Sequence, residues 1–510
     1  MKGIGASPLR NLTLTVMALA PAACSGSAGE PSQGAREVAD YAQTTYSDAT
    51  VEALARLVSF RTVHREGVDN AENPEFRGMS DYLEATAAEL GLDFADHSNV
   101  IVIGLGEAAD RLGVVTHGDV QPADPSKWAQ DPFDLDSLSE PGLLVGRGAE
   151  DDKSPIATTL YAMKAVSDQG LQLSRRIELI ISYTEESDWA PFQEFLAHNP
   201  PPELNVALDA EYPVVVAEKS WNSITLAFAP VPEAPIAGPN RLIDIAGGAF
   251  MSQIPEDAWA IVAEPSADLR SSLRNAATRD PDVSYDFVLG EGTLRIEAHG
   301  RAAHSSTPEE GHNAITHLAA LLGSHDWPDG QAARMVRLIN DLVGTGDYAE
   351  RFGDVAFNHP FMGPLTLSLT TLGRDDELLV AGINIRSPVG RDPEELERLI
   401  GEALDEWKGR TGIGGLETSV FTSPAHYPEG APHIQTLLDI FGYYSGISDP
   451  QPISIGGGTH ARLVPNGVNF GPAMPGAVYT GHSEHEFISR EQLELNLRMT
   501  TAMLVELAGS

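Results

Sequence analysis

The sequence predicts an α/β fold with a second domain inserted into the first, and three observations lead there. Short apolar runs alternate with helical patterns from about residue 35, the texture changes after Lys219, and polar motifs resume only near the C-terminus. A chain of 510 residues is long for one domain. Its 42% hydrophobic residues suffice for a substantial core.

At the N-terminus, Lys2 and Arg10 precede the apolar stretch LTLTVMALA (Leu12 to Ala20), which is followed by PAAC at 21–24. That run is too short to cross a bilayer as a mature helix and fits the centre of a secretory signal peptide. Cys24 is the only cysteine, so no intrachain disulfide can form. Its place before SGSAGEPSQG resembles the lipid-modified cysteine of bacterial lipoproteins, although Pro21 departs from the usual Leu-like residue. Residues 1–24 are thus expected to be a signal peptide and 25–34 a tether. The mature protein is expected in the periplasm or cell envelope, with Cys24 as a site of lipid attachment.

In the first domain, Asn73-Pro74 reads as an N-cap and first helical position, with Gly91 as the stop. NVIVIGL, LGVVTHGD, IELIISYTEES and NVALDAEYP read as strands, and SPIATTLYAMKAVSDQG as a helix. Strands separated by helices favour a mostly parallel sheet with its sites at the carboxyl ends of the strands. His117, Asp119, Glu185, Glu186 and Asp209 fall at those ends. Beyond the Pro- and Ala-rich residues 221–240, TLRIEAHG and LVAGINIR read as strands and DPEELERLIGEALDEW as an amphipathic helix. The expected division is 35–219 with 426–510 for the first domain and 220–425 for the insert.

Acids outnumber bases 73 to 33, a net charge of −40. That balance argues against nucleic-acid binding, which needs a basic footprint, and suits a solvated acidic surface.

Individually the polar motifs are weak. His117 and Asp119, at i and i+2, share a strand face and can be a ligand with its orienting carboxylate or a structural pair. In GRGAEDDKSP, Gly146 and Gly148 permit a tight loop; Asp151 and Asp152 can complement a helix dipole, and Lys153 can neutralise one of them. In TEES, two adjacent like charges repel, and a solvated strand end is the ordinary explanation. With Asp209 and the His482 of GHSEHEF, however, two histidines and several carboxylates can supply a two-metal site. Such a site needs a shared anion between its cations and a nearby base that is not a ligand. One glutamate of TEES would then be ligand and the other base, which requires the chain to turn between them.

The ordered series THGDV, WAQDPF, GRGAEDDK, TEES, LDAEYP, HGRAAHSSTPEEGHNA, GGGTHARLVPNGVNFGP and HSEHEF resembles the dinuclear zinc peptidase superfamily of aminoacylases, carboxypeptidases and dipeptidases. The long insert and GGGTHAR look most like its bacterial Xaa-His (carnosinase-like) dipeptidases. The resemblance implies a catalytic domain flanked by helices and an α+β lid. It implies that His117, Asp151 and Asp209 hold one divalent metal and Asp151, Glu186 and His482 another, zinc first, with manganese or cobalt as alternatives. Asp119 would orient His117, Glu185 would take a proton from the metal-activated water, and His304 would stabilise the oxyanion. Arg386 would bind the substrate's terminal carboxylate, with Gly457, Gly458, Thr459 and Ser252 also meeting substrate and Arg462 bracing the glycine loop. His299 and His312 are read as background.

Three positions depart from the family pattern: Ser252 where Asn is common, Ser154 after DDK, and His460 where Tyr is frequent. The function implied is an exported dipeptidase acting on small peptides, with a monomer favoured by the size of the insert. A free amine would be met at Asp152 or the acidic lid. The alternatives are an N-acyl-amino-acid amidohydrolase or carboxypeptidase, and a non-catalytic envelope peptide-binding protein, against which a non-ligand Glu185 counts.

Overall fold

A computed structural model describes residues 29–231, 238–428 and 430–509. The predicted signal peptide, with Cys24, lies outside these residues. The end of the predicted tether does not hang free. Gly29 N donates to Asp439 Oδ1 at 2.8 Å, and Ser32 Oγ caps a helix that already starts at Gln33. No helix among the described residues is long and apolar enough to cross a membrane.

Among the described residues, sixteen strands build two eight-stranded sheets. In chain order they are β1 (Asp93–Asp96), β2 (Val100–Leu105), β3 (Arg111–His117), β4 (Arg176–Ser182), β5 (Leu204–Ala207), β6 (Val215–Glu218), β7 (Ser220–Phe228) and β8 (Arg241–Gly247). Then follow β9 (Asp257–Ala263), β10 (Ser284–Leu289), β11 (Thr293–His299), β12 (Thr366–Asp375), β13 (Leu378–Ser387), β14 (Leu416–Phe421), β15 (Ile453–Ile455) and β16 (Val468–Asn469).

The first sheet runs β1-β2-β4-β3-β5-β16-β6-β15. Its centre is parallel, β3 lying between β4 and β5 and β16 continuing beside β5. The flank departs from the parallel expectation: β1 pairs β2, and β2 pairs β4, antiparallel. Only the residues between Asp96 and Val100 join β1 to β2, and so short a link closes a hairpin but not a crossover.

Helices cover this sheet, two of them where the pattern places them. Pro74–Leu90 is capped by Asn73, whose Oδ1 accepts from Glu75 N at 3.1 Å, and ends at Gly91 with φ 72°. It buries Phe76, Met79, Leu83, Ala87 and Leu90, one face at helical spacing; emptying the Phe76 position would cost about 3–5 kcal/mol. Lys153–Asp168 and the C-terminal Arg490–Ala508 pack into the same core, whose buried residues come from 35–216 and 431–508.

The second sheet, β10-β11-β9-β8-β12-β13-β7-β14, is antiparallel throughout. Its core, drawn from 224–407, includes the helices Ala314–Leu322 and Pro393–Thr411. The chain changes sheet at Lys219, between β6 and β7, and beyond β14 a bridge of His426 to Glu218 returns it. Two further pairings matter for the site. Phe487–Ser489 lies antiparallel to Leu143–Val145, which brings the His482 loop beside GRGAEDD, and Pro472–Ala473 runs parallel to Ala210–Glu211.

Candidate metal centre

The buried strand β3 delivers His117 to the sheet's carboxyl edge, where the residue is 1% exposed. Its Nδ1 lies 2.9 Å from the carbonyl oxygen of Asp119, and its Nε2 lies 2.9 Å from Asp151 Oδ1 and 3.5 Å from Asp209 Oδ1. Burial alone would lower this imidazole. Asp209, Asp119 and Asp151 instead hold it well above its ordinary value. Asp151 turns its other oxygen, Oδ2, to His482 Nε2 at 3.1 Å, and that nitrogen lies 2.9 Å from Glu186 Oε1. Two triads, His117–Asp151–Asp209 and Asp151–Glu186–His482, therefore share one carboxylate.

The turn in TEES is built from the backbone. Strand β4 stops at Ser182 and the chain turns at Glu185–Glu186. Asp119 Oδ1 accepts from Glu185 N at 3.1 Å and Oδ2 from Glu186 N at 3.0 Å, while Trp189 Nε1 donates to Glu185 O at 2.7 Å. Asp119 meets His117 Nδ1 twice, most closely through its carbonyl at 2.9 Å and at 3.5 Å through Oδ1 of the carboxylate that also takes the two glutamate amides. Glu186 also accepts from Gln121 Nε2 at 2.9 Å. Burial first, then the Asp209 charge, push the Glu185 carboxyl well above the usual range. Burial likewise raises Asp209 to about 6, even beside His117.

Several neighbours escaped the sequence reading. Tyr479 donates from its hydroxyl to Asp151 Oδ2 at 2.5 Å. Glu150 accepts from Thr480 N and Thr480 Oγ1, both at 2.7 Å, and from Gly481 N at 3.2 Å, which fixes the His482 loop. Glu486 Oε1 accepts from the amides of Glu150 and Asp151 while Arg147 pairs with Oε2 at 2.8 Å, all inside the protein. Glu150 and Glu486 sit within quoted motifs, but nothing in their spacing separates a backbone clamp from a ligand; Tyr479 carries no motif signal.

Two other readings change. Lys153 neutralises neither aspartate: its Nζ is buried and donates to Phe60 O at 2.7 Å, and burial lowers it to about 7. Asp152 is 0% exposed, with Oδ2 accepting from Thr116 Oγ1 at 2.6 Å, so no substrate amine reaches it.

Of the lid residues, His304 Nδ1 accepts from Ser306 N at 3.2 Å and faces Ser306 Oγ at 2.6 Å, leaving Nε2–H as donor. Its crowded surroundings, then the charges of Arg386 and His482, push it down to about 3, although its edge is open to solvent. Arg386 is 5% exposed, bonded to Asn384 Oδ1 at 2.9 Å and near Gly456 O at 3.5 Å; among the described residues no carboxylate pairs with it. Burial and then Arg462 lower it to about 9. Ser252 exposes its side chain, and its carbonyl accepts from Ser305 N at 2.8 Å beside His304.

Gly457 and Gly458 lie in the loop next to Gly456, but Thr459 does not offer a free hydroxyl. It is 6% exposed, and Oγ1 donates to Glu218 at 2.7 Å and accepts from Ala461 N at 3.1 Å. His299 pairs with Asp257 at 2.7 Å, and His312 lines a separate lid cavity of about 240 Å³ that contains no residue of either triad.

The donor set fits divalent cations. Oxygen and nitrogen donors converge, no thiolate is found among the described residues, and the triads share a carboxylate. The family model for peptidase family M20/M25/M40 matches residues 113–506. The chain belongs to that family. This M20 protein is therefore a metal-dependent peptide hydrolase. The YtjP protein of Bacillus subtilis (strain 168) is 31% identical over 421 residues, covering 81% of this chain and 86% of that one. The Beta-Ala-Xaa dipeptidase of Lactobacillus delbrueckii subsp. lactis is 27% identical over 470 residues, 90% of this chain and 96% of that one. Human carnosine dipeptidase 1 shares the fold, with a TM-score of 0.57 at 16% identity over 93% of this chain and 99% of that chain.

Proposed function

We propose that this M20 protein is a dipeptidase holding two divalent metal ions, zinc first, and recognising its substrate by a free terminal carboxylate. The observation that carries this reading is Arg386, a buried guanidinium with no carboxylate partner among the described residues. A buried charge without a counter-ion is costly unless a ligand supplies one, and guanidinium suits carboxylate. The names of the relatives support the same reading.

His117, Asp151 and Asp209 would hold one ion and Asp151, Glu186 and His482 the other. When bound, such ions supply Lewis acidity that activates water and polarises a carbonyl. The protein's own groups divide the remaining work. Asp119 fixes the Glu185–Glu186 turn, so Glu186 faces His482 while the Glu185 carboxylate, with a raised proton affinity, receives and returns the proton at its oxygens. His304, neutral, donates from Nε2 to the oxygen that becomes negative in the transition state. Arg386, with the backbone of Gly457 and Gly458, holds the carboxylate end. The size of the insert favours a self-sufficient monomer. The leader pattern at 1–24 supports export to the periplasm or cell envelope, with lipid on Cys24.

The test is a panel of dipeptides, their C-terminal amides and their N-acylated forms, assayed with zinc, manganese or cobalt. Free dipeptides should be cleaved and the amides lose most of their turnover. Cleavage confined to N-acyl amino acids would replace the dipeptidase reading with the amidohydrolase one.

A further inference from the structure

We propose that Glu218 is a positioning residue that locks the glycine loop 456–459 to the crossing between the two sheets, so that the loop meets the substrate's carboxylate end at a fixed height. The inference rests on the carboxylate-recognition reading above.

Glu218 ends β6, one residue before the chain changes sheet at Lys219, and is 1% exposed. Its main chain pairs in both directions with His426, each bond 2.9 Å, so it touches the outgoing and returning crossings together. Its carboxylate takes four donors from the opposite side. Oε1 accepts from Thr459 Oγ1 at 2.7 Å and Asn469 Nδ2 at 2.9 Å; Oε2 accepts from Thr459 N at 3.1 Å and Arg462 Nε at 3.0 Å. Arg462 reaches on to Lys219 O at 2.9 Å.

The same loop is pressed from two other directions. Toward the lid, a Cβ on Gly456 would stand 2.6 Å from Ser306 Cβ, so only glycine admits this contact beside His304, and Arg386 Nη1 lies 3.5 Å from Gly456 O. Toward the metal centre, His460 stacks on Phe192 at 4.2 Å and meets Trp189 edge-on at 5.1 Å. Trp189 is the residue that holds Glu185 O. With Glu218 removed, Thr459 N loses its buried acceptor, and Arg462 is left with a carbonyl for its charge. The loop would then be free to shift between lid and metal centre, and the carboxylate end of the substrate would lose its fixed seat.

The experiment compares the full-length protein with Glu218→Gln and Thr459→Val by amide hydrogen exchange, metal content and dipeptide kinetics. Glu218→Gln should exchange the amides of 456–462 faster while β3 and β4 keep their protection, a local rather than global opening. It should raise KM for a free dipeptide about tenfold, in the range of a lost outer-shell partner, with kcat within about threefold and metal content unchanged. Thr459→Val, which keeps the carboxylate, should shift both readouts the same way by less, and it decides the matter if Glu218→Gln does not fold. Unchanged exchange and KM would overturn the proposal, as would loss of protection spread evenly over both sheets. Were the wild-type protein to cleave no dipeptide, the functional reading would fall while the exchange comparison still judged Glu218.

Discussion

The strand ends of the first sheet and an exposed face of the lid sheet carry the same kinds of side chain. Around the strand ends stand His117, Asp151, Asp209, Glu186 and His482; on the lid, the ligand atoms of Asp286, Glu297 and His299, like those of each triad, lie within 4.8 Å of one another. Their surroundings differ. The three carboxylates of the first set, Asp151, Glu186 and Asp209, are 8%, 9% and 14% exposed and His117 1%, with His482 the open member at 35%, whereas Asp286, His299 and Glu297 are 73%, 43% and 33% exposed. No lysine or arginine pairs with the first set among the described residues, but Arg295 holds Glu297 at 2.7 Å and Asp257 holds His299. The lid group is thus neutralised by its neighbours and by water. The strand-end group is an excess of buried carboxylate that only protons or cations can balance. Closeness of donors is a weak sign of a metal site; unbalanced burial and amides aimed at the loops are the stronger one.

The largest effect should come from Asp151→Asn. Its carboxylate belongs to both triads, so metal retained after dialysis should fall below half the wild-type content and hydrolysis to background. Full retention of metal would remove the distinction between the two groups. Glu185→Gln should come next. Metal content should hold while kcat falls about hundredfold or more, as for a lost general base; loss of metal would make Glu185 a ligand. His304→Ala should lower kcat about hundredfold, the scale of one oxyanion donor. The sign of its pH effect follows from its depressed proton affinity: it is neutral above about 3 and protonates only as pH falls through that value. Its removal should therefore leave the shape of the pH–rate profile near neutrality unchanged. A lost limb between about pH 5 and 8 would show that His304 acts as an imidazolium.

Much of this was legible in the sequence because periodicity and caps act locally. Asn73-Pro74 to Gly91 marked a helix to the residue, and LGVVTHGD and IELIISYTEES marked strands, which end at His117 and Ser182. The residues that converge in the two triads were legible as an ordered series of motifs rather than from any one of them. What escaped depends on which atom of a side chain is used. Asp119 reads the same whether its carboxylate faces an imidazole alone or, as found, two amides of the TEES turn as well. Lys153 beside two aspartates reads as an ion pair, yet packing at 0% exposure sends its ammonium to a carbonyl. Thr459 reads as a loop hydroxyl until Glu218, 241 residues away, claims it.

The smallest effect is expected from the lid group, and it tests the comparison most directly. In the wild-type protein His299 is held mainly by its bond to Asp257, which raises its proton affinity; nearby Asp286 and Glu297 add to that. As pH rises through its titration the imidazole loses its charge, and the attraction to these acids weakens. Because all these groups are open to water, little stability rides on the change. His299→Ala should therefore leave metal content, kcat and KM within about twofold of wild type, as for an exposed residue away from any special feature. A paired measurement makes the contrast sharp: His482→Ala should release metal from the strand ends under conditions in which His299→Ala releases none. If the lid variant instead lost a bound ion, exposure and an arginine neighbour would not disqualify a site, and the lid face would have to be counted as a metal position of its own.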